Sequence, residues 1–330
     1  MKRMMIGMSL AFVFCGACSA HAQRVRLTAR VVDFDTGLPV SNMTVEAWVD
    51  TNIKSGWGWG AGKPNITSGM TDTNGVCVLD GDGDGGTAGI SVPNTPDYYG
   101  ASCGVKFTNV TIGIGGRKWQ PWNPVLELRL HKVRNPIPLY AKCFGAVAPD
   151  VKIPEFGKPI GFDLLKTDWV KPYGKGEQSD FVFTINVQKG GVTKDGYQNY
   201  DASFSLGFSN EGDGIQSVYA FPKPGVRLLR EAPEHGYETN LVRKAYNHDD
   251  GTYREHREDQ NYYFRVRTKK DDKGNIVSAL YGKIHDEIGW LGAIRFTYYL
   301  NPTPNDRNLE FAGKDNLFKP HWKENEPPAP

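Results

Sequence analysis

The sequence predicts an all-β protein, and three observations support this class. Several stretches alternate apolar and polar residues, as strands with one buried face do, and "RVRLTARVV" at residues 24–32 is the clearest case. Glycine (38) and proline (21) are frequent among the 330 residues and fall between these stretches, where turns are expected. No segment of the mature chain shows a competing helical period. Short strands at this spacing are typical of sandwiches and barrels.

Residues 1–22 have the pattern of a secretory signal peptide. Lys2 and Arg3 precede an apolar run that ends at Cys18, and "SAHAQ" then supplies the small-x-small cleavage site. The sequence predicts a mature chain that begins near Gln23 and is exported to the periplasm, the cell surface or the medium. A retained anchor and a lipoprotein modified at Cys18 are the alternatives. No later run approaches the ~20 apolar residues of a membrane span.

The first domain is predicted over residues 23–140 as a β-sandwich. Asn74-Gly75 is a tight-turn dipeptide that begins a strand at residue 76. The apolar faces of the other strands come from alternating residues, namely Val25, Leu27, Ala29 and Val31, then Val45, Ala47 and Val49, and finally Leu126, Leu128 and Leu130.

Two turns give this domain a resemblance to a known family. "VVDFDTGLPVSNMTVEAWVD" followed by "TSGMTDTNGVCVLDG" resembles a carboxypeptidase regulatory-like domain over roughly residues 24–133. The matching positions are Asp33, Thr36, Gly37, Pro39 and Val40 in the first turn, and Thr71, Asp72, Asn74 and Gly75 in the second. The resemblance implies a transthyretin-like or Ig-like sandwich of the kind appended to secreted bacterial proteins, and it does not imply peptidase activity. The glycine-rich insertion after Leu79 departs from the family pattern.

The second half is also predicted to be β-rich. A proline-rich linker is expected at 141–158, a sandwich-like domain of unknown function at 159–318, and a disordered tail at 319–330. "DDKGN" reads as the turn of a hairpin. The inward positions of the remaining strands are Phe181, Phe183, Ile185 and Val187, then Ala202, Phe204, Leu206 and Phe208, and then Ile294, Phe296, Tyr298 and Leu300.

The stretch "DGDGDGG" after Leu79 is a candidate calcium site. Asp80, Asp82 and Asp84 reproduce the first half of a D-x-D-x-D-G loop, in which alternate carboxylates point to one side. The second half fails, because the twelfth position is Ser91 rather than a glutamate. Calcium is therefore the one cofactor that the sequence suggests, and a solvated acidic connection is the alternative.

Three cysteines remain after the predicted cleavage, and export would place them in an oxidising compartment. Cys77 and Cys103 could close a loop with a disulfide worth ~3–4 kcal/mol in chain entropy. The alternative is that all three, including Cys143, are free thiols that pack as small apolar residues.

Tryptophans in turns are the candidate binding residues. Trp57 and Trp59 lie in "GWGWG", and Trp119 and Trp122 lie in a later turn. Exposed rings would form flat platforms for sugars or protein partners. The alternative is that they fold back over the ends of the sandwich as caps.

Charge and motifs narrow the function without assigning a reaction. The net charge is +2, which argues against nucleic acid as the main partner. No nucleophile elbow or phosphate-binding loop is present. His248, Asp249, Asp250 and His256 are candidate metal ligands, but the stretch has no H-E-x-x-H spacing, and a solvated loop is the alternative. Asp286 and Glu287 are adjacent acids, but neighbouring strand residues face opposite sides.

The first hypothesis for the function is a secreted or cell-surface binding, adhesion or structural protein directed at glycans or surface proteins. The alternative is a secreted hydrolase with its active site in 159–318.

Overall fold

The computed structural model describes residues 23–55, 58–61, 64–113, 116–145, 149–219, 230–256, 260–311, 313 and 315–318, without side-chain detail at 52–63. These residues form strands and no helix, which confirms the all-β class. The chain divides into two compact units between Lys132 and Val133. The predicted signal peptide and the predicted tail lie outside the described residues.

Unit 1 is built from eleven strands within the described residues. They are β1 (Gln23–Asp33), β2 (Thr44–Val49), β3 (Asn52–Ser55), β4 (Gly58–Ala61), β5 (Asn65–Met70), β6 (Val76–Gly83), β7 (Thr87–Val92), β8 (Ala101–Lys106), β9 (Asn109–Gly113), β10 (Gly116–Gln120) and β11 (Val125–Leu130).

Two sheets pack face to face in unit 1. In the first, β1 pairs antiparallel with β6 along one side and parallel with β11 along the other, and β10 and β9 continue past its start. The second sheet has the order β5-β2-β7-β8, and β3 and β4 form a separate hairpin. The alternating residues predicted for β1 and β2 are buried between the sheets, together with Leu128 and Leu130 of β11. This is the packing that the pattern predicts.

The turn residues behind the family resemblance hold the backbone directly. The Asp33 carboxylate accepts hydrogen bonds from the backbone N–H groups of Asp35 (3.0 Å) and Thr36 (2.9 Å), and from the Tyr98 hydroxyl (3.3 Å). Burial raises the pKa of Asp33, but these hydrogen bonds outweigh it and hold the pKa below its ordinary value. Gly75 has φ +71, and a Cβ there would lie 2.4 Å from the Val31 carbonyl oxygen.

We expect Asp33→Asn to lower the free energy of unfolding of unit 1 by about 1 kcal/mol at neutral pH, since a charged acceptor is lost. The folded-state pKa of Asp33 is lowered, so its contribution is complete above the unfolded pKa of about 3.9. It is lost as the pH falls through the folded value. Urea unfolding at several pH values should therefore show the two proteins converging in acid. Asp97→Asn, on an exposed side chain, should show no such convergence, and a pH-independent difference for Asp33→Asn would contradict the assignment.

Unit 2 is built from a further eleven strands within the described residues. They are β12 (Tyr140–Cys143), β13 (Ile160–Asp163), β14 (Asp168–Trp169), β15 (Phe181–Val192), β16 (Gln198–Gly207), β17 (Gly214–Tyr219), β18 (Asn240–His248), β19 (Gly251–Arg254), β20 (Gln260–Lys270), β21 (Ile276–Gly289) and β22 (Arg295–Leu300).

A five-stranded sheet, β12-β22-β21-β20-β17, and a six-stranded sheet, β14-β13-β15-β16-β18-β19, share one core in unit 2. The core is strongly aromatic. Phe181 contacts Phe264 edge to face at a centroid separation of 5.1 Å, which joins the two sheets. The inward residues predicted for β15, β16 and β22 are in this core or packed against it. The predicted hairpin joins β20 to β21, and Gly274 has φ +82 in its turn.

The predicted linker is part of unit 2. β12 lies across the predicted boundary at 140 and pairs with β22, and Val151 forms a bridge to Ile294. Leu139 is also buried. The prolines of 141–158 favour an extended path, as predicted, but that path lies along the five-stranded sheet instead of between domains. The unit boundary therefore falls earlier than the sequence suggests, after Lys132.

Candidate functional site

A cluster of exposed aromatic rings lies on the outer face of the six-stranded sheet. Tyr246 and Tyr253 are opposite each other on β18 and β19, with ring centroids 5.5 Å apart and planes at 24°. His248, two positions further along β18, stacks on Tyr246 at 4.9 Å. We call these three residues the aromatic patch. The tyrosine residues are 37% and 45% exposed, so the rings meet solvent and not the core.

Polar side chains border the aromatic patch. The His248 ring lies 3.1 Å from the carboxylate of Asp201 on β16, and Lys244 is the next outward residue of β18. Further across the same face, Asn186 donates a hydrogen bond to the Ser203 hydroxyl at 3.3 Å. Apolar ring surface therefore adjoins charged and hydroxyl groups on one face of the sheet.

The sequence carried a signal for this patch that motif searching missed. His248 pairs with Gly251, so Asp249 and Asp250 form a two-residue hairpin loop. Counting outward from that loop places Tyr246 opposite Tyr253. Reading the stretch only for metal ligands, and not for strand register, hides the pair.

The structure describes the side chains of only two of the four candidate binding tryptophans, Trp119 and Trp122. Trp57 lies outside the described residues, and Trp59 is on β4 without a described side chain. Trp119 packs on Phe107 at a centroid separation of 5.5 Å and donates a hydrogen bond to the Gly83 carbonyl, as the capping alternative predicts. Trp122 is half-buried, with the ammonium of Lys118 at 4.9 Å from its ring. A binding role for the four residues stays a prediction.

The "DGDGDGG" stretch is mostly strand, and packing explains its glycines. Residues 80–83 end β6, with both aspartates on its outer side. A Cβ on Gly83 would lie 2.5 Å from the carbonyl oxygen of Asp50, and one on Gly85 would lie 2.4 Å from the Asp50 Cβ. The glycines thus let β6 approach the end of β2.

The aspartates of that stretch do not converge. Arg26 forms an ion pair with Asp80 at 3.2 Å across the β1–β6 ladder. Within the described part of the chain, no three His, Cys, Asp or Glu side chains are placed to hold one metal ion. Calcium bound by Asp80, Asp82 and Asp84 stays a prediction.

The three cysteines are free thiols in this structure. Cys77 lies on β6 and Cys103 on β8, and the Cys103 Sγ is 4.0 Å from the Glu127 carbonyl oxygen of β11. β6 and β11 flank β1 on opposite sides, so the two thiols lie towards opposite edges of the sandwich. Burial raises the pKa of the Cys103 thiol to about 11, which keeps it protonated and unreactive. A disulfide needs a Cα separation of about 4.4–6.8 Å, and one between Cys77 and Cys103 stays a prediction.

A polar groove of about 460 Å³ in unit 2 is lined by arginine, asparagine and carboxylate side chains. Its carboxylates already have structural partners. Glu310 accepts hydrogen bonds from the backbone N–H groups of Arg134 and Asn135, at 2.9 and 2.8 Å. Glu231 is ion-paired with Arg307. These acids hold neighbouring chain segments together.

A buried ion pair joins the two sheets of unit 2. Arg267 of β20 makes two 2.8 Å hydrogen bonds to Asp180, whose side chain is fully buried, and one of 3.2 Å to Asp163. Burial raises the pKa of Asp180 despite the guanidinium. Burial also opposes ionisation of Asp163, but backbone N–H groups of Glu177 and Gln178 and the charge of Arg267 hold its pKa below the ordinary value. Arg267 itself has φ +57 at an irregularity in β20.

A second polar cluster lies between β18 and β21. Arg243 donates a 2.9 Å hydrogen bond to the Tyr262 hydroxyl, which in turn donates to Glu287. Glu287 is 5% exposed, whereas Asp286 is 70% exposed, so the adjacent acids face opposite sides as predicted. They do not form a catalytic pair.

The fold and these sites define a class, an all-β protein of two sheet-built units with polar and aromatic surface sites. Comparisons find no matching family model, no matching curated protein and no matching solved structure. The likeness to carboxypeptidase regulatory-like domains stays a prediction. The described part of the chain has no helix of the length and apolar character needed to cross a membrane.

Proposed function

We propose that this chain is an exported, non-catalytic protein that binds glycans through the aromatic patch of unit 2. The observation that carries the proposal is the stacked, exposed set of Tyr246, His248 and Tyr253 beside Asp201 on the outer face of the six-stranded sheet. Export is supported by the sequence pattern of residues 1–22.

Ring geometry supports a sugar as the ligand. Stacked rings in contact are separated by about 3.5–4.0 Å, so a centroid separation of 5.5 Å means that Tyr246 and Tyr253 are slipped past each other. Slippage leaves part of each ring face uncovered. The C–H face of a pyranose packs on such a surface, while Asp201 and Lys244 are placed to exchange hydrogen bonds with its hydroxyl groups.

The hydrolase alternative has less support among the described residues. It requires two carboxyl groups that converge on one bond. The acids lining the groove of unit 2 are held by arginines and backbone N–H groups, and Glu287 is held by Tyr262. These arrangements favour binding over hydrolysis.

The test is retardation of the mature chain in native gels that contain soluble glucan, xylan, mannan or chitosan. We expect at least one polysaccharide to slow the wild type. The double variant Tyr246→Ala and Tyr253→Ala should bind about 5- to 150-fold more weakly, because each ring contributes about 0.5–1.5 kcal/mol of stacking. Tyr173→Ala removes a 40% exposed tyrosine outside the patch and serves as the matched control.

Two results would count against the proposal. One is wild-type mobility that is unchanged in every gel. The other is a double variant that is retarded as strongly as the wild type while remaining folded by circular dichroism.

A further inference from the structure

A second candidate site lies in unit 1, at the side where the edges of the two sheets meet. β5 and β6 are the facing edge strands there, and a groove of about 410 Å³ opens between them. Its walls are Asn65, Ile66 and Thr67 from β5, Asp80 and Asp82 from β6, and Arg24 from β1. We call this the edge groove.

Two Arg–Asp pairs lie directly opposite each other across β1 and β6 at the edge groove, but only one of them forms an ion pair among the described residues. Arg26 lies opposite Asp80 and the two form an ion pair of 3.2 Å. Arg24 lies opposite Asp82, one step along the ladder, but within the described residues neither side chain forms an ion pair or a side-chain hydrogen bond. The open pair presents guanidinium donors and carboxylate acceptors to the same space.

Two further polar groups complete the lining. The Thr67 hydroxyl oxygen is buried and finds no hydrogen-bond partner among the described residues, a state that costs about 1–3 kcal/mol. Asn65 uses its side-chain N–H to hold the Asp82 carbonyl at 2.6 Å, which leaves its side-chain oxygen available as an acceptor. Ile66, 64% exposed, supplies an apolar surface at the rim.

The charges select a neutral ligand. Arg24 lies opposite Asp82, and Asp80 is ion-paired with Arg26, which lies outside the lining, so the groove attracts neither an anion nor a cation strongly. Arg24 also opposes a calcium ion, because it places a positive charge on the residue paired with Asp82, the aspartate of the groove for which the described residues show no salt bridge. A molecule with neighbouring hydroxyl groups can donate to Asp82 and accept from Arg24 at once.

We propose that the edge groove binds a neutral saccharide unit, independently of the aromatic patch. The Asp82 carboxylate accepts from a sugar hydroxyl, the Arg24 guanidinium donates to its neighbour, and the Thr67 hydroxyl gains the partner that it lacks. Ile66 packs against the C–H face of the ring. The protein then has one saccharide site in each unit.

The experiment uses the mature chain carrying Tyr246→Ala and Tyr253→Ala, so that the aromatic patch does not contribute. The probes are the methyl glycosides of glucose, galactose, mannose and N-acetylglucosamine at millimolar concentration, followed by ligand-observed NMR and calorimetry. We expect saturable binding of at least one probe. Asp82→Asn and Thr67→Val should each weaken it about tenfold, since the first replaces a charged acceptor by a weaker neutral one and the second removes a hydrogen bond to the ligand. Glu46→Gln removes an exposed charge of β2 and should change nothing.

Thr67→Val separates a ligand role from a structural one. Valine keeps the shape of threonine and removes an unpartnered hydroxyl, so the melting temperature should stay the same or rise while binding falls. A melting temperature that falls with binding would assign the hydroxyl to folding and overturn its ligand role.

Other outcomes would overturn the site itself. They are no binding of any of the four probes, or binding that is unaffected by both Asp82→Asn and Thr67→Val. Calcium chloride alone raising the melting temperature of the wild type, but not of Asp82→Asn, would make the groove a cation site. The difference in polysaccharide retardation between the wild type and the Tyr246→Ala and Tyr253→Ala double variant reports the aromatic patch separately, so failure of one proposal leaves the other measurable.

Discussion

Arg267→Ala is expected to destabilise unit 2 by about 3–5 kcal/mol, the usual cost of removing one partner of a buried ion pair. The substitution leaves Asp180 fully buried without its cation and removes a hydrogen bond from Asp163. Because these residues lie on both sheets, the loss also removes a direct connection between them. Urea unfolding followed by tryptophan fluorescence measures the effect, and Trp169 and Trp290 report from this core.

Arg295→Ala is the matched control for that experiment. Arg295 also makes a two-point contact with a carboxylate, Asp150, at 2.8 and 2.7 Å, but it is half exposed. An exposed pair of this kind is worth about 0–1 kcal/mol. Adding Asp180→Asn to Arg267→Ala should cost less than the sum of the single changes, because the two residues act as a pair. Equal effects of Arg267→Ala and Arg295→Ala would contradict the role given to Arg267.

Gly83→Ala is expected to destabilise unit 1 by about 1–3 kcal/mol, the range for overpacking a close contact. The new methyl group would meet the Asp50 carbonyl oxygen at 2.5 Å and a Val49 methyl at 2.6 Å, and the carbonyl oxygen cannot move without shifting the backbone at the end of β2. Gly86→Ala, in the same stretch, has nothing within 4 Å of its new Cβ and should be nearly neutral or slightly stabilising. Thermal unfolding of the two variants compares them directly. If both alanines are tolerated equally, the glycines are there for some reason other than the approach of β6 to β2.

The strands were predictable because, in a strand with one buried face, every second residue is apolar. Val25, Leu27 and Ala29 show this in β1, and the inward aromatic residues show it in β15 and β22. The place of the proline-rich stretch in the fold was harder to predict, because prolines indicate an extended backbone but not which strand lies next to it. Pairing of β12 with β22 joins positions more than half of unit 2 apart, which local sequence does not record.

The candidate sites were less predictable than the fold. "DGDGDGG" suggested a metal loop because the aspartates are the chemically active residues, whereas the glycines are explained by contacts with β2. The aromatic patch needs the register of β18 against β19, and the edge groove needs two edge strands of different sheets to meet. Such sites assemble residues that are distant in sequence, so a motif search does not find them.

The position of β1 at the centre of its sheet has a consequence for how unit 1 folds. Ala29 pairs with Cys77 on one side and with Leu126 on the other, so both neighbours of the first strand are synthesised long after it. Contacts of such high contact order form slowly, because a long loop must close before any pairing is gained. If the chain is exported as proposed, its first strand crosses the membrane with no partner yet available. We therefore expect the first sheet of unit 1 to be completed only after Leu130 has also crossed the membrane. This is compatible with an export pathway that transports unfolded chains.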